Sequence, residues 1–584
     1  MPIDSSAPSA TTTNGGIIPR YQRDPLTTDA WLVGGGIASL AAAVHLINDA
    51  KVPASRIHIL EASPTPGGSM AAEDEPSATP AHPIKRKGYV IRAARKLNFS
   101  YRCFYDTLSK VPCPSVSQAQ ENGSSARTNA IGELNGSTAP TSNGDAGNNR
   151  GTEDFVIGEE AVTESPPRTL LDSIRRNHSN PKNRGRTKVR LVSLDDGGRP
   201  ETVDTATMGL SPRDQAALMA FILRSEESLG FGTIRDFFEL DFFETNFWDM
   251  MSTMYLFKPW HSAIELRRYL HRFLHEFPNI STLSGMEYMP SNDFEATIVP
   301  LVAYLKEAGV DFQDLIVTGI AVRQQTEDIV IPVKPTDIVL VTLGSMTSGS
   351  APGTNTTPPA AMPKNHWVHD HPDPIWKFWL GLSESSSNPH RAKFGDPRLF
   401  REHQGESMGV AFTITMFDQS FTQHLLAWAG STHGTCPLLS FRDCPWLLSI
   451  TIPQQPYFKD QPADTTVFWG YGLYPDQPGR FPPAGADAGE FHHAPGAHAL
   501  ITSPYIRRDK DSRPQVVPRG SQNLGLMGQY VEMARDVTFT MEYSVRSAQI
   551  AVYELMGLDK KPPEVFGEDP SAAVLGEALK TLMM

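Results

Sequence analysis

One stretch constrains the N-terminal part of the chain more than any other: AWLVGGGIASLAAAVHLIND (residues 30–49) followed by RIHILEAS (56–63). A short apolar run enters three glycines and an alanine-rich helical pattern follows. A second β-rich run then ends on an acid. Strand, glycine turn, helix, strand and acid in that order form the dinucleotide fingerprint of a parallel α/β unit. Gly34 serves the tight turn and Gly36 the close approach of backbone to a pyrophosphate, while Ser39 is small enough for helix to pack on strand. Glu61, 25 residues after Gly36, is placed for ribose hydroxyls. The helix N-terminus offers unpaired N–H groups and a partial positive charge to the phosphates.

Three later segments favour FAD over NAD. GGSM (67–70), with Gly68 and Ser69, supplies another close backbone approach directly after the second strand. DIVLVTLGS (337–345), with Gly344, and NLGLMGQY (523–530), with Gly528, are strand-and-glycine elements of the kind that complete two-dinucleotide flavoproteins. The expected fold class is α/β: a Rossmann-type FAD-binding domain with an inserted mixed α+β substrate domain and C-terminal helices.

The rest of the chain divides by composition. Residues 1–27 and 113–166 are polar, Ser/Thr/Gly/Asn-rich stretches with little to bury, expected to be a disordered tail and a disordered insertion; 348–364 reads as a flexible linker. Between them lie a first FAD segment (28–112), a largely helical substrate domain (167–330) and a return strand (331–347). A substrate or lid region (365–510) and a closing FAD segment with terminal helices (511–584) complete the chain. Within HSAIELRRYLHRFLHEF, residues Ala263, Leu266, Leu270, Phe273 and Phe277 fall on one helical face.

A net charge of −13 argues against a dedicated nucleic-acid binder. Cys103, Cys113, Cys436 and Cys444 lack finger-like spacing and read as reduced, buried thiols. No signal pattern or long apolar run is present, so a cytoplasmic protein is expected, with contact at a membrane surface left open. No metal site is expected. The runs HWVHDHPD (His366, His369, Asp370, His371) and HHAPGAH (492–498) lack fixed ligand spacing.

These segments, together with FFETNFWDMMSTMYLFKPWHSAIELRRYLHRFLHEF (242–277) and RDVTFTMEYSVRSAQIAVYELM (535–556), resemble the oleate hydratase family, also called the myosin-cross-reactive antigens. The resemblance implies bound FAD and commonly a homodimer. It also implies addition of water to a cis double bond of a free long-chain unsaturated fatty acid, without net redox. In that family the flavin shapes the site electrostatically and is more effective when reduced. The family's tyrosine acid matches Tyr269. Its Arg-Gly-Gly-Arg-Glu-Met stretch aligns with RAARKL (92–97): Arg92 and Arg95 match and join Asp536 in the cofactor set, Ala93 and Ala94 replace glycines, and Lys96 replaces the glutamate that handles water. The family's carboxylate-anchoring set falls on Thr451, Pro453 and Tyr457, and a further substrate contact, a glutamine, on Asp293.

Lys96 reverses the chemistry at its position, because a protonated lysine only donates. An acid at Asp293 is expected to repel a fatty-acid carboxylate. Lys96 and Arg95 together suit a substrate carboxylate or an anionic reduced flavin. Three readings stay open at this level: a hydratase with Tyr269 as acid and a replacement base; an FAD-dependent isomerase or oxidoreductase acting on a lipid or polyketide-like chain; and a non-catalytic flavin- or lipid-binding homologue.

Overall fold

The computed structural model describes residues 22–63, 65–71, 88–91, 95–113, 167–179, 189–314, 316–318, 321–324, 327–330, 333–334, 336–345, 374–386, 388–402, 408–430, 438–445, 447–473, 498–501, 505–508, 511–567 and 570–583. Its framework is a five-stranded, wholly parallel sheet. In spatial order the strands are Leu524–Met527, Ile338–Thr342, Ala30–Val33, Ile57–Glu61 and Asp311–Asp314. A strand buried on both sides reads as a near-continuous apolar run, as IVLV of Ile338–Thr342 does. Helix Ile37–Asn48 packs against Met541–Leu555 through small side chains, with Ala38, Ala41, Ala42, Ala548 and Ala551 essentially inaccessible. The chain is α/β, as its alternating pattern predicts.

A seven-stranded mixed sheet stands apart from the parallel one. Its order is His498–Ile501, Met408–Met416, Thr466–Gly472, Ser449–Thr451, Leu438–Phe441, Leu191–Leu194 and Pro200–Thr202. Only Leu191–Leu194 and Leu438–Phe441 pair parallel. Helix Ala263–Phe273 presents Leu266, Tyr269, Leu270 and Phe273 at i, i+3, i+4 and i+7, all buried. Glu265 in its first turn and Arg272 in its last complement the helix dipole.

Two boundaries differ from the compositional division. Arg23 lies in the stretch read as tail, yet it is buried and donates to the carbonyls of Thr336, Gln522 and Leu555. Asp311–Asp314, inside the stretch read as substrate domain, is the edge strand beside Ile57–Glu61. Both depend on partners far away in sequence, which local composition does not carry. Residues 114–166, 346–373 and the histidine runs up to residue 497 lie outside the described residues. Cys103 is buried, whereas Cys113 and Cys444 are only half-buried; all three are free thiols, and Cys436 is not described.

Candidate functional site

The glycine loop is built for a close-approaching ligand. Gly34 adopts φ +95°, beside Thr342. A Cβ placed on Gly36 would meet nothing within 4 Å, leaving open space at the start of helix Ile37–Asn48. That helix has no side-chain cap and no acid in its first turn, so no side chain of its own contests its N-terminal N–H groups. Glu61 ends its strand as expected, and its carboxylate braces the loop by accepting from Gly35 N–H (2.6 Å) and Ser63 N–H (2.8 Å). Ser39 Oγ lies 3.2 Å from Thr342 Oγ1, tying helix to strand. Gly68, at φ +53°, stacks on Gly36: an added Cβ would sit 3.3 Å from the Gly36 Cα. Across the sheet, Gly528 (φ +97°) would press a Cβ to 3.1 Å from the Gly344 carbonyl. Gly34, Gly36, Ser39, Glu61 and Gly68 thus converge at the C-terminal ends of parallel strands, where this architecture receives ligands. The cradle fits the pyrophosphate of a dinucleotide.

Beside it lies a cavity of about 160 Å³. Its walls include Lys96, Arg95, Met254, Tyr255, Tyr269, Phe273, Thr451, Trp469, Tyr471, Tyr505 and Phe539. Tyr269 is 1% exposed. Its oxygen accepts from the Tyr505 hydroxyl (2.7 Å) and from Phe539 N–H (3.3 Å). Burial pushes the Tyr269 hydroxyl well above the ordinary tyrosine range, and those two donors pull it partly back. Tyr255 and Phe257 pack edge-on against its ring at 5.0 and 5.1 Å. Among the described residues that line the cavity there is no carboxylate and no histidine.

Lys96 lines this cavity and also a smaller crevice of about 20 Å³, where its ammonium stands 5.9 Å from the Tyr288 ring centroid. Arg95 reaches from Ser69, donating to its carbonyl (2.9 Å) and hydroxyl (3.3 Å), to the Asp293 carboxylate (3.2 Å). This corrects the expected repulsion at Asp293. Burial raises its pKa, and Arg95, its ion-pair partner, opposes that rise. Thr451 lines the main cavity, whereas Tyr457 and Asp293 line the smaller crevice, so the expected head-group set is divided between two spaces. Asp536 is fully buried, its carboxylate accepting from Arg546 Nε (2.8 Å) and Val537 N–H (2.8 Å). It belongs to an interior ion network. Arg92 lies outside the described residues.

Sequence reasoning missed Tyr505, Trp469 and Arg190. Tyr505 follows a Ser-Pro pair in SPYIRR, with nothing local to mark it. The Trp469 indole N–H, in the cavity wall, has no hydrogen-bond partner among the described residues. Arg190 is fully buried behind Tyr255 and Tyr471, donates to the Leu438 carbonyl (2.7 Å) and forms no ion pair among the described residues. Desolvation pushes its pKa down to about 10.

The family model for the MCRA family matches residues 27–143, 160–482 and 488–553. The chain belongs to the MCRA family. An oleate hydratase of Streptococcus pyogenes serotype M49 (strain NZ131) is 28% identical over 606 residues, covering 94% of this chain and 88% of the relative. A linoleate hydratase of Lactiplantibacillus plantarum is 26% identical over 611 residues, covering 91% and 94%. Among solved structures, an oxidoreductase from Methanosarcina mazei superposes with a TM-score of 0.47 at 9% identity, covering 90% of this chain and 100% of its own. No helix among the described residues of this MCRA member is long and apolar enough to cross a membrane.

Proposed function

We propose that this chain is an FAD-binding fatty-acid hydratase that adds water to a cis double bond of a long-chain unsaturated fatty acid, without net redox. The observation that carries the reading is Tyr269: a buried phenol in the wall of a mostly apolar cavity, its oxygen held by two donors, in a chain whose named relatives are an oleate and a linoleate hydratase. A phenol held this way is equipped to give its proton to one alkene carbon. Water then bonds to the other. Lys96, replacing the family glutamate, orients water or an acyl carboxylate by donation. Thr451 at the cavity, with Asp293 and Tyr457 at the adjoining crevice, complete the substrate contacts. Methionine and aromatic side chains suit a flexible acyl chain.

Gly34, Gly36, Ser39, Glu61, Gly68, Ser69, Gly344 and Gly528 would hold FAD, with Arg92, Arg95 and Asp536 supporting. When bound, it supplies charge beside the cavity rather than hydride. A homodimer in the cytoplasm, with peripheral membrane contact for substrate uptake, belongs to the same reading, as does the division into flavin and substrate domains.

The second reading, a flavin-dependent isomerase or oxidoreductase on a lipid-like chain, is favoured by Lys96 and by the lack of a carboxylate among the described lining residues. One experiment separates the two. Protein with FAD, under air and again reduced under nitrogen, is given oleate or linoleate in ¹⁸O-water. A hydroxy acid carrying the label supports hydration. Flavin that cycles with substrate and yields no labelled product overturns it.

A further inference from the structure

Resting on the acid role proposed for Tyr269, we infer that Tyr505 is its positioning partner: the Tyr505 hydroxyl donates to the Tyr269 oxygen and stabilises the negative charge left there when the proton departs. The geometry is specific. The Tyr505 ring is held between Phe257 and Phe539, stacked at 4.6 Å (20°) and 4.7 Å (22°). It meets the Tyr269 ring edge-on at 5.6 Å and 84°. Clamped on both faces, its hydroxyl has little freedom to leave the 2.7 Å contact. Phe539 fixes the arrangement twice, because its ring stacks on Tyr505 while its backbone N–H, at 3.3 Å, is the second donor to Tyr269. With both donors on one oxygen, the remaining direction belongs to the Tyr269 proton.

The pair acts as an oxyanion hole for a phenolate. Two preorganised donors aimed at developing charge in a water-poor site stabilise it without reorganisation. In the step, the Tyr269 O–H bond breaks and its electron pair stays on oxygen, while the alkene π pair forms the new C–H bond. The second carbon bonds the oxygen of water, and the proton that water sheds returns through solvent to Tyr269. Nothing is oxidised or reduced.

Other titratable groups around the pair are Tyr101, Tyr255, His261 and Glu265. Glu265, one turn before Tyr269, is matched by Arg508 Nη1 (2.6 Å) and Arg513 Nη2 (3.3 Å). His261 packs on the Tyr505 ring at 5.4 Å, and burial holds it neutral. Lys96 and Arg95 face the same cavity. None of these bonds the Tyr269 oxygen, so removal of one hydroxyl tests the pair.

The test places a polyfluorinated tyrosine at position 269 in the full chain and follows its ionisation by ¹⁹F NMR, with and without Tyr505→Phe. Loss of a hydrogen bond to a charged oxygen is expected to raise the pKa at position 269 by about 1–2 pH units. An unchanged titration overturns the proposal. Should Tyr505→Phe fail to fold, the reciprocal pair decides. With the probe at 505, Tyr269→Phe removes the acceptor and is expected to lower the probe's pKa; no change, or a rise, overturns the assignment. Neither titration needs turnover, so absence of hydration leaves it readable.

Discussion

Gly36 offers a substitution whose two consequences point in opposite directions. Its backbone sits at φ −76° and ψ 177°, an extended conformation open to any residue. Its missing Cβ faces space with no atom within 4 Å. Gly36→Ala therefore adds a methyl group at no steric cost and removes backbone freedom from the unfolded chain. A gain of about 0.4–1 kcal/mol in stability without flavin is expected. The same methyl occupies the space where a pyrophosphate would meet the helix N-terminus. Displacing one charge-assisted hydrogen bond there costs about 1.5–3 kcal/mol, or roughly a tenfold to 150-fold loss of FAD affinity. Thermal unfolding with and without excess FAD reads both effects. The variant should melt slightly higher alone and show a smaller FAD-induced rise than the unsubstituted protein. Gly35→Ala is the contrast, since its Cβ would lie 2.7 Å from Glu61 Oε2 and must displace that carboxylate. If Gly36→Ala kept full FAD affinity, the pyrophosphate would not lie against this glycine and the cradle argument would fail.

Three further outcomes are expected. Tyr269→Phe should lower hydration by about 10²–10⁴-fold, the usual worth of a positioned acid, while binding of a saturated fatty acid is retained; an unaltered rate would remove Tyr269 from the chemistry. Lys96→Glu adds an acceptor to a cavity without a described carboxylate, and steady-state product formation from oleate should rise; a fall would show that the site depends on the ammonium. Asp249 is buried, and desolvation raises its carboxyl to about 6 despite Arg442 at 2.6 Å. Because the folded state holds that proton more tightly, stability should fall by about 3 kcal/mol as pH rises from about 4 to about 6. Asp249→Asn should flatten that limb of a urea-midpoint-against-pH profile, and an unchanged slope would assign the dependence to other groups.

Much of the dinucleotide cradle could be read locally because its demands are local. Each glycine is needed where backbone turns or must be approached, and Glu61 lies one strand and one helix away. The face of helix Ala263–Phe273 was equally legible, since its repeat matches the helical period. The mixed sheet was not. Leu191–Leu194 pairs with Leu438–Phe441 across roughly 250 residues, and no short-range pattern encodes such a pairing. Tyr505 and Arg190 escaped notice for the same reason: their significance lies in partners brought close only by folding. Asp293 shows the reverse error. Its charge was legible, but its ion pair with Arg95 was not.

The parallel sheet also sets a schedule. Ala30–Val33 finds Ile57–Glu61 almost as soon as both leave the ribosome, yet its other neighbour is Ile338–Thr342, and the strand beyond that is Leu524–Met527. At about 5–20 residues per second, the roughly 490 residues between first strand and last take about 25–100 s to synthesise. Arg23 waits equally long for Gln522 and Leu555. A nascent chain thus spends most of its synthesis with Ala30–Val33 unpaired along one edge. Premature termination before Ile338–Thr342 would leave that edge open to other chains.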